Sequence, residues 1–162
     1  HMIKVRYAQL EDVESACKIA VEAWRPIYEN YKKILGDELF DVLHKNWRER
    51  KAEEVRSHYR EHPDWFLVTE EDGKIVGFIT FILDRKRKIG EIGNNAVKPT
   101  CQGRGIGTLQ YRKVLEIFKN EKMRFAKVTT GLDEAHAPAR AAYEKVGFRK
   151  AIKMVIYYMK LA

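Results

Sequence analysis

Cysteine is scarce in this sequence, and its scarcity excludes two ways of stabilising a small fold. Only Cys17 and Cys101 occur among the 162 residues, which is too few for a disulfide framework. Neither of them lies in a Cys/His cluster with the paired spacing of a zinc site. The sequence therefore predicts a reduced, cytoplasmic setting and no structural metal.

Long apolar runs are also missing. No stretch approaches the roughly 18 uninterrupted apolar residues of a membrane span, and the amino terminus lacks the pattern of a secretory signal. We therefore expect a soluble protein without a membrane segment. His1 is typical of a cloning remnant, and because no linker-like tract divides the chain, residues 1–162 are predicted to form one domain.

Charge is abundant and unbalanced, with 31 lysines and arginines against 23 acids and a formal net charge of +8. Such an excess favours polyanionic partners, among them nucleic acid and phosphorylated cofactors. Acids are interspersed with the bases, however, and no RNA-recognition, helix-turn-helix or zinc-finger pattern is present. The hypothesis of a nucleic-acid partner is therefore supported by charge alone, and we do not expect such a partner.

The amino-terminal half is predicted to begin with a strand and continue with helices. Alternation over Ile3 to Tyr7 indicates a strand, and apolar residues at helical spacing follow from Glu11, with Pro26 marking the predicted end of that helix. Residues 34–60 are helical in pattern and strongly charged, with a predicted break near Arg48.

The remaining residues alternate between strand and helix patterns. The predicted order of the whole chain is β-α-α-β-β-β-α-β-α-β, and it favours an α/β fold with a mixed sheet covered by helices. The strands are predicted at Trp65 to Thr69, Ile75 to Leu83, Ile89 to Val97, Phe125 to Thr130 and Ile152 to Lys160, and the helices at Ile106 to Ile117 and Ala139 to Val146.

A glycine-rich segment, Gln102-Gly103-Arg104-Gly105-Ile106-Gly107, lies between a predicted strand and a predicted helix. Glycines let a backbone approach a ligand closely, and the first N–H groups of a helix lack internal acceptors. With the helix dipole, these features predict an anion site suited to a phosphate. The dinucleotide and Walker fingerprints are absent, so another phosphate ligand is indicated.

Three motifs in this order resemble the GNAT (Gcn5-related N-acetyltransferase) superfamily. The loop is similar to that family's pyrophosphate loop at Gln102, Gly105 and Gly107, and residues 91–99 resemble its fourth strand with a closing Val-x-Pro. Residues 136–148 resemble its Asn-x-x-Ala-x-x-x-Tyr-x-x-x-Gly-Phe pattern, with His136 in place of asparagine.

The resemblance implies a GNAT fold, in which the fourth strand splays from its neighbour, and acetyl-CoA as cosubstrate. The splayed strand would pair with the pantetheine arm and the loop would hold the pyrophosphate. The implied cofactor-binding residues are Asn95, Ala96, Val97, Gln102, Gly103, Arg104, Gly105, Ile106, Gly107, Thr108 and His136.

By the same resemblance, an amine attacks the thioester directly, and Tyr143 is the general acid that protonates the departing thiolate. A phenol with a pKa of about 10 is still protonated at neutral pH. Glu91, on the fourth strand, is the first candidate for the general base. Some relatives instead use a carboxylate on the fifth strand, but the corresponding position in this chain is Gly131, which has no side chain. His136 is either an alternative base or a residue that orders the loop before the last helix.

Acceptor choice in the family depends largely on the connection between the first two helices, which here is expected to include Trp24, Tyr28 and Tyr31. These aromatic residues either line an acceptor pocket or belong to the core. The expected function is an acetyl-CoA-dependent N-acetyltransferase acting on a primary amine of a small molecule or protein. A non-catalytic acyl-CoA-binding regulatory module is the alternative, and a homodimer is open because dimers are common among relatives.

Overall fold

The computed structural model describes residues 2–162 and has one five-stranded sheet with the strand order β1-β2-β3-β4-β5. Neighbours among the first four strands are antiparallel, whereas β5 is parallel to β4. The predicted remnant at His1 lies outside the described residues. The strands are β1 Ile3–Tyr7, β2 Phe66–Glu71, β3 Lys74–Asp84, β4 Ile89–Val97 and β5 Phe125–Val128.

Helices cover both faces of this mixed sheet. One hydrophobic cluster joins the first and third helices to β2 and β3, and a second cluster joins the last two helices to the opposite face. The predicted α/β architecture is therefore confirmed. The helices are α1 Val13–Leu35, α2 Asp37–His44, α3 Trp47–Glu61, α4 Ile106–Asn120 and α5 Ala137–Val146.

The prediction that the first helix ends at Pro26 is wrong, because α1 continues through this residue to Leu35. Proline inside a helix removes one backbone hydrogen bond and costs about 3 kcal/mol. Packing beyond the proline offsets that cost, since Tyr28 is buried and its ring stacks on Trp47 at 4.2 Å between centroids. Trp24, Tyr28 and Tyr31 therefore lie inside α1, not in a connection between helices.

The predicted break in the charged helical segment is present, two residues earlier than Arg48. The α2 helix ends at His44, and Asn46 adopts φ of 60° before α3 begins at Trp47. Asparagine is among the few residues other than glycine that adopt this left-handed conformation readily. The chain therefore turns here at modest cost.

The β4 strand separates from its neighbours along its second half. It pairs with β5 only from Ile89 to Ile92, and its register with β3 shifts between Ile79 and Phe81. At this bulge, the Thr80 hydroxyl donates to the Asn94 carbonyl oxygen at 2.8 Å. Residues 93–97 thus lie beside an opening between β4 and β5, which is the splay implied by the family resemblance.

The predicted last strand over Ile152 to Lys160 is wrong for the isolated chain. All residues from Phe148 onward lie outside helices and strands, and every residue from Arg149 to Ala162 is exposed. A strand forms only where a neighbour offers backbone partners, and within the described residues β5 has a partner on its β4 side alone. The sequence pattern of a strand is therefore present, but no strand among the described residues pairs with it.

No helix in the part of the chain that the structure describes has both the length and the apolar character needed to cross a bilayer.

Candidate active site

The glycine-rich loop connects β4 to α4 and leads directly into the helix. Gly103 and Gly105 have φ values of 79° and 85°, and an added Cβ at either position would meet no atom within 4 Å. Glycine is therefore favoured at these two positions by the backbone conformation and not by a lack of space for a side chain. Gly105 occupies the N-cap of α4 and provides no side-chain cap, so the first N–H groups of α4 point out of the helix end without intrahelical acceptors.

Two side chains of the loop have partners in this structure. The Gln102 amide donates to the Val97 carbonyl oxygen at 3.1 Å, which ties the loop to the end of β4. Arg104 forms a bidentate ion pair with Glu71 at the end of β2, with one N–O distance of 2.9 Å. Its guanidinium holds the pKa of Glu71 below the ordinary value.

Tyr143 lies at the splay and is held through Asn95. The Asn95 side-chain nitrogen donates to the Tyr143 phenol oxygen at 3.2 Å, and the Tyr111 hydroxyl donates to the Asn95 side-chain oxygen at 3.0 Å. The Tyr111 and Tyr143 rings are 4.9 Å apart between centroids. Burial raises the pKa of Tyr111. One amide from the splayed strand therefore links two buried phenols from α4 and α5.

Glu91 lies on the opposite face of β4. A Cβ at the preceding residue, Gly90, would collide with Phe118 of α4, so Gly90 faces α4 and Glu91 faces the side of α1. The Glu91 carboxylate is 4.0 Å from the Lys127 ammonium of β5, and its side chain is 40% exposed. This carboxylate therefore lies where the two strands begin to separate, and water reaches it.

His136 lies just before α5 and pairs with a residue that the sequence reasoning missed. Its Nδ1 is 2.6 Å from Asp133 Oδ1, and the other Asp133 oxygen accepts from the Asn30 amide at 3.1 Å. A Cβ at Gly131 would lie 2.3 Å from Asp133 Oδ1 and 2.7 Å from His136 Nδ1. A side chain at position 131 would therefore require the His136–Asp133 pair to shift from its present position.

An aromatic cluster brings α1 to this histidine. The centroids of the Trp24 and Tyr31 rings are 6.0 and 6.1 Å from that of His136. Burial together with the charge of Asp133 raises the pKa of Tyr31 to about 12. Tyr28 is instead buried in the core together with Trp47. The core interpretation therefore holds for Tyr28, whereas Trp24 and Tyr31 lie beside His136.

A buried lysine connects the aromatic cluster to the bulge. The Lys51 ammonium lies 3.8 Å from the centroid of the Trp24 ring, 3.1 Å from the Asn94 side-chain oxygen and 2.8 Å from the Glu54 carboxylate. Its side chain is 6% exposed. Sequence reasoning missed Lys51 because it lies within a strongly charged helix, where a buried lysine has no distinguishing local pattern.

Comparison with known proteins decides the family. The model of the "Acetyltransferase (GNAT) family" matches residues 21–148, which include the loop, β4 and α5. The chain belongs to the GNAT family. An uncharacterized N-acetyltransferase of Methanocaldococcus jannaschii is 33% identical over 92 residues, which cover 54% of this chain and 40% of that relative. The chain thus spans well under half the length of this curated relative.

Solved structures show that the GNAT fold extends beyond those 92 residues. The PaiA N-acetyltransferase from Thermoplasma acidophilum, crystallised with coenzyme A, has a TM-score of 0.69 and 21% identity, covering 92% of this chain and 91% of that one. A GNAT family acetyltransferase from Brucella melitensis, crystallised with acetyl-CoA, has a TM-score of 0.64 and 24% identity, covering 93% and 84%. These similarities establish the fold.

Most of the side chains singled out in the sequence surround one region of this GNAT fold. The loop, the splayed end of β4 and Tyr143 are linked by hydrogen bonds through Gln102 and Asn95. Arg104 is directed to Glu71, and Ile106 is buried under the helix start. Within residues 2–162, no cluster of three or more histidines, cysteines or acids is arranged to hold a metal ion.

Proposed function

We propose that this protein is an N-acetyltransferase that transfers the acetyl group of acetyl-CoA to a primary amine of a small molecule or protein. The observation that carries the proposal is the Asn95–Tyr143 hydrogen bond, because it fixes a phenol beside the opening between β4 and β5. The family and the CoA-bound neighbours of similar fold support acetyl-CoA as the cosubstrate.

The cofactor would occupy the loop and the splayed strand. The N–H groups at the start of α4, from Gly103 to Thr108, suit a pyrophosphate, because they lack acceptors within the helix and lie at its positive end. The backbone of Asn95, Ala96 and Val97 borders the gap that opens beyond Ile92, where an extended pantetheine arm would pair as a strand does. When the cofactor binds, the Arg104 guanidinium would leave the Glu71 carboxylate and pair with a phosphate of the cofactor.

The two proposed catalytic groups approach the gap from opposite faces of the sheet. Glu91, on the α1 side, would remove a proton from the acceptor amine, directly or through water. The neutral nitrogen would then form a bond to the thioester carbon, the surplus proton on this nitrogen would pass to water, and the carbon–sulfur bond would break. Tyr143, on the α5 side, would donate its proton to the departing thiolate. Because Asn95 donates to the phenol oxygen, the phenol's own proton is available for that transfer.

The acceptor would enter from the side of α1. Trp24, Tyr31 and His136 provide an aromatic wall near the bulge. The partly exposed carboxylate of Glu91 would provide negative charge for an approaching ammonium group. His136 is held by Asp133 and contacts α1 as well as the loop before α5. We therefore propose that it contributes to the acceptor pocket in addition to its expected role at the cofactor.

Calorimetric titration with acetyl-CoA, combined with a thiol-release assay over polyamines, aminoglycosides, amino acids and peptides, tests the proposal. Thiol release that requires one acceptor class and falls about 10²-fold or more in Tyr143→Phe supports it. Tyr7→Phe is the control, since Tyr7 is exposed on β1. Binding without release over the whole panel identifies the regulatory module instead, and absence of binding overturns both functions.

A further inference from the structure

Lys51 places a positive charge against the aromatic wall that borders the proposed acceptor pocket. Its ammonium lies over the ring of Trp24, 3.8 Å from the centroid, and only 6% of the Lys51 side chain is exposed. The face of an indole ring is the best surface that a side chain offers to a cation. Lys51 therefore covers, from within the protein, a surface that the ammonium group of an acceptor could otherwise use.

The charge of Lys51, and not its size, is the feature that needs an explanation. Burial of an ammonium group is costly because the group leaves water, and methionine would fill a similar space without that cost. The charge also acts on any cation that approaches. Because buried charges are poorly screened, a second ammonium group beside Trp24 would be repelled more strongly here than on an open surface.

Three carboxylates lie on the acceptor side, and each already has a basic partner within the chain. The pairs are Glu54 with Lys51 at 2.8 Å, Asp133 with His136 at 2.6 Å and Glu91 with Lys127 at 4.0 Å. The first two carboxylates are engaged at hydrogen-bond distance. The Glu91 pair is looser and its carboxylate is 40% exposed, so this carboxylate is the one best able to attract an ammonium group.

The overall charge acts in the same direction as this pairing. The chain carries a formal net charge of +8, so a molecule with several positive charges is repelled as it approaches, and each further charge increases the repulsion. A molecule with a single positive charge meets the least repulsion and still finds the Glu91 carboxylate. The number of positive charges on the acceptor is thus a property that this side of the site can discriminate.

We propose that Lys51 restricts the acceptor to monoamines, in which the reacting amine is the only positive charge near the pocket, as in the α-amino group of a peptide. Polyamines and aminoglycosides are disfavoured because Lys51 repels their further ammonium groups while it neutralises Glu54. The effect on turnover rests on the proposed acetyl transfer, whereas the effect on binding does not.

The first test compares two acceptors that differ by one ammonium group, butylamine and putrescine. The ratio of kcat/KM for putrescine to kcat/KM for butylamine should rise at least about tenfold in Lys51→Met, because the repelling charge is removed. Lys51→Gln is a second neutral variant that keeps a donor for Asn94, and Lys51→Arg should retain the native ratio. Lys4→Met is the control, since it removes an exposed charge on β1, two strands away from β4.

The second test measures binding of the same two amines without turnover. The full chain is labelled with 5-fluorotryptophan, and the fluorine resonance of Trp24 is assigned by its absence in Trp24→Phe. In the presence of CoA, putrescine should shift this resonance in Lys51→Met at concentrations at least about tenfold lower than in the native protein. Butylamine should act at similar concentrations in both proteins.

The two tests separate this inference from the proposed acetyl transfer. Absence of thiol release in every sample, together with the expected binding preference, would contradict acetyl transfer and still support the role of Lys51. Equal use or equal binding of the two amines by the native protein would overturn that role. A preference that survives in both neutral variants, or a Trp24 resonance that responds to neither amine, would overturn it as well.

Discussion

The side chain of Asn95 connects Tyr143 to Tyr111 through two hydrogen bonds, of 3.2 and 3.0 Å. The amide comes from the splayed part of β4, whereas the two phenols come from α5 and α4. The hydrogen bonds of Asn95 therefore connect the opening of the sheet to the position of the proposed proton donor, Tyr143. A change at Asn95 is expected to affect both the stability of the fold and the proposed chemistry.

Replacing Asn95 with alanine removes the acceptor of the buried Tyr111 hydroxyl. We expect Asn95→Ala to lower the free energy of unfolding by about 1–3 kcal/mol, the cost of leaving a buried polar group unpaired. Adding Tyr111→Phe should recover part of this loss, because the orphaned hydroxyl is then removed. Urea denaturation of the two single variants and of the double variant measures the coupling between Asn95 and Tyr111. If the stability loss of the double variant equals the sum of the two single losses, the expectation is contradicted.

Glu91→Gln tests the proposed general base. The acceptor-dependent kcat/KM should fall by about 10²- to 10⁴-fold near neutral pH, because the amide cannot accept the amine proton. The affinity for acetyl-CoA, measured by calorimetry, should be unchanged. The matched control is Glu121→Gln, whose exposed carboxylate pairs with Arg85 on the surface. An unchanged rate in Glu91→Gln would exclude this glutamate and direct attention to His136.

Gly105→Ala tests whether the loop conformation matters for binding. Its φ of 85° costs a residue with a Cβ about 1–2 kcal/mol, and the surrounding space is open, so the loss arises in the backbone alone. We expect lower stability and weaker binding of acetyl-CoA as the loop relaxes. Gly107→Ala is the control for stability, because this glycine is helical and an added Cβ makes only an ordinary contact at 3.8 Å with Val97.

Asp12 is expected to make stability depend on pH. The Arg6 guanidinium donates to both of its oxygens, at 2.7 and 3.1 Å, and these bonds, with a further one from the Gln9 N–H, hold the pKa of Asp12 below its ordinary value of 3.8. A carboxyl with a lowered folded-state pKa contributes stability above pH 3.8 that is lost as the pH falls through the folded-state value.

The corresponding variant is Asp12→Asn, which should lower the free energy of unfolding by about 1.5–3 kcal/mol at pH 7. The difference from the native protein should shrink as the pH falls below 3.8. Denaturation curves at several pH values measure this trend, with Asp41→Asn, an exposed acid on α2, as the control. A difference that persisted unchanged at acidic pH would show that the loss does not arise from ionisation.

The sequence predicts elements well where local signals bound them. β4 runs from Ile89 to Val97 as expected, because Lys88, with φ of 59°, precedes it and Pro99 follows it. Pro26 shows the limit of such signals, since the packing of Tyr28 on Trp47 overrides the local preference for ending the helix. The strand expected after Ile152 has the right alternation and lacks a partner within its own chain.

The residues of the candidate site also divide into those that the sequence predicts and those that only the structure reveals. Tyr143 and the glycines of the loop are recognisable from their spacing along the chain. Tyr111, Asp133 and Lys51 are not, because their partners are distant in sequence or their surroundings resemble ordinary helix. Lys51 contacts Asn94 43 residues away, for example, and Asn30 reaches Asp133 across 103 residues. Tertiary structure alone brings such pairs together.

The close contacts around Gly131 limit how this site can change during evolution. A side chain at position 131 would collide with the carboxylate of Asp133 and the ring of His136. An acid at position 131 therefore requires the carboxylate of Asp133 and the ring of His136 to leave their present positions. A lineage in which position 131 changes first meets this crowding at once, whereas a lineage in which Asp133 or His136 is replaced first makes room before the new side chain arrives.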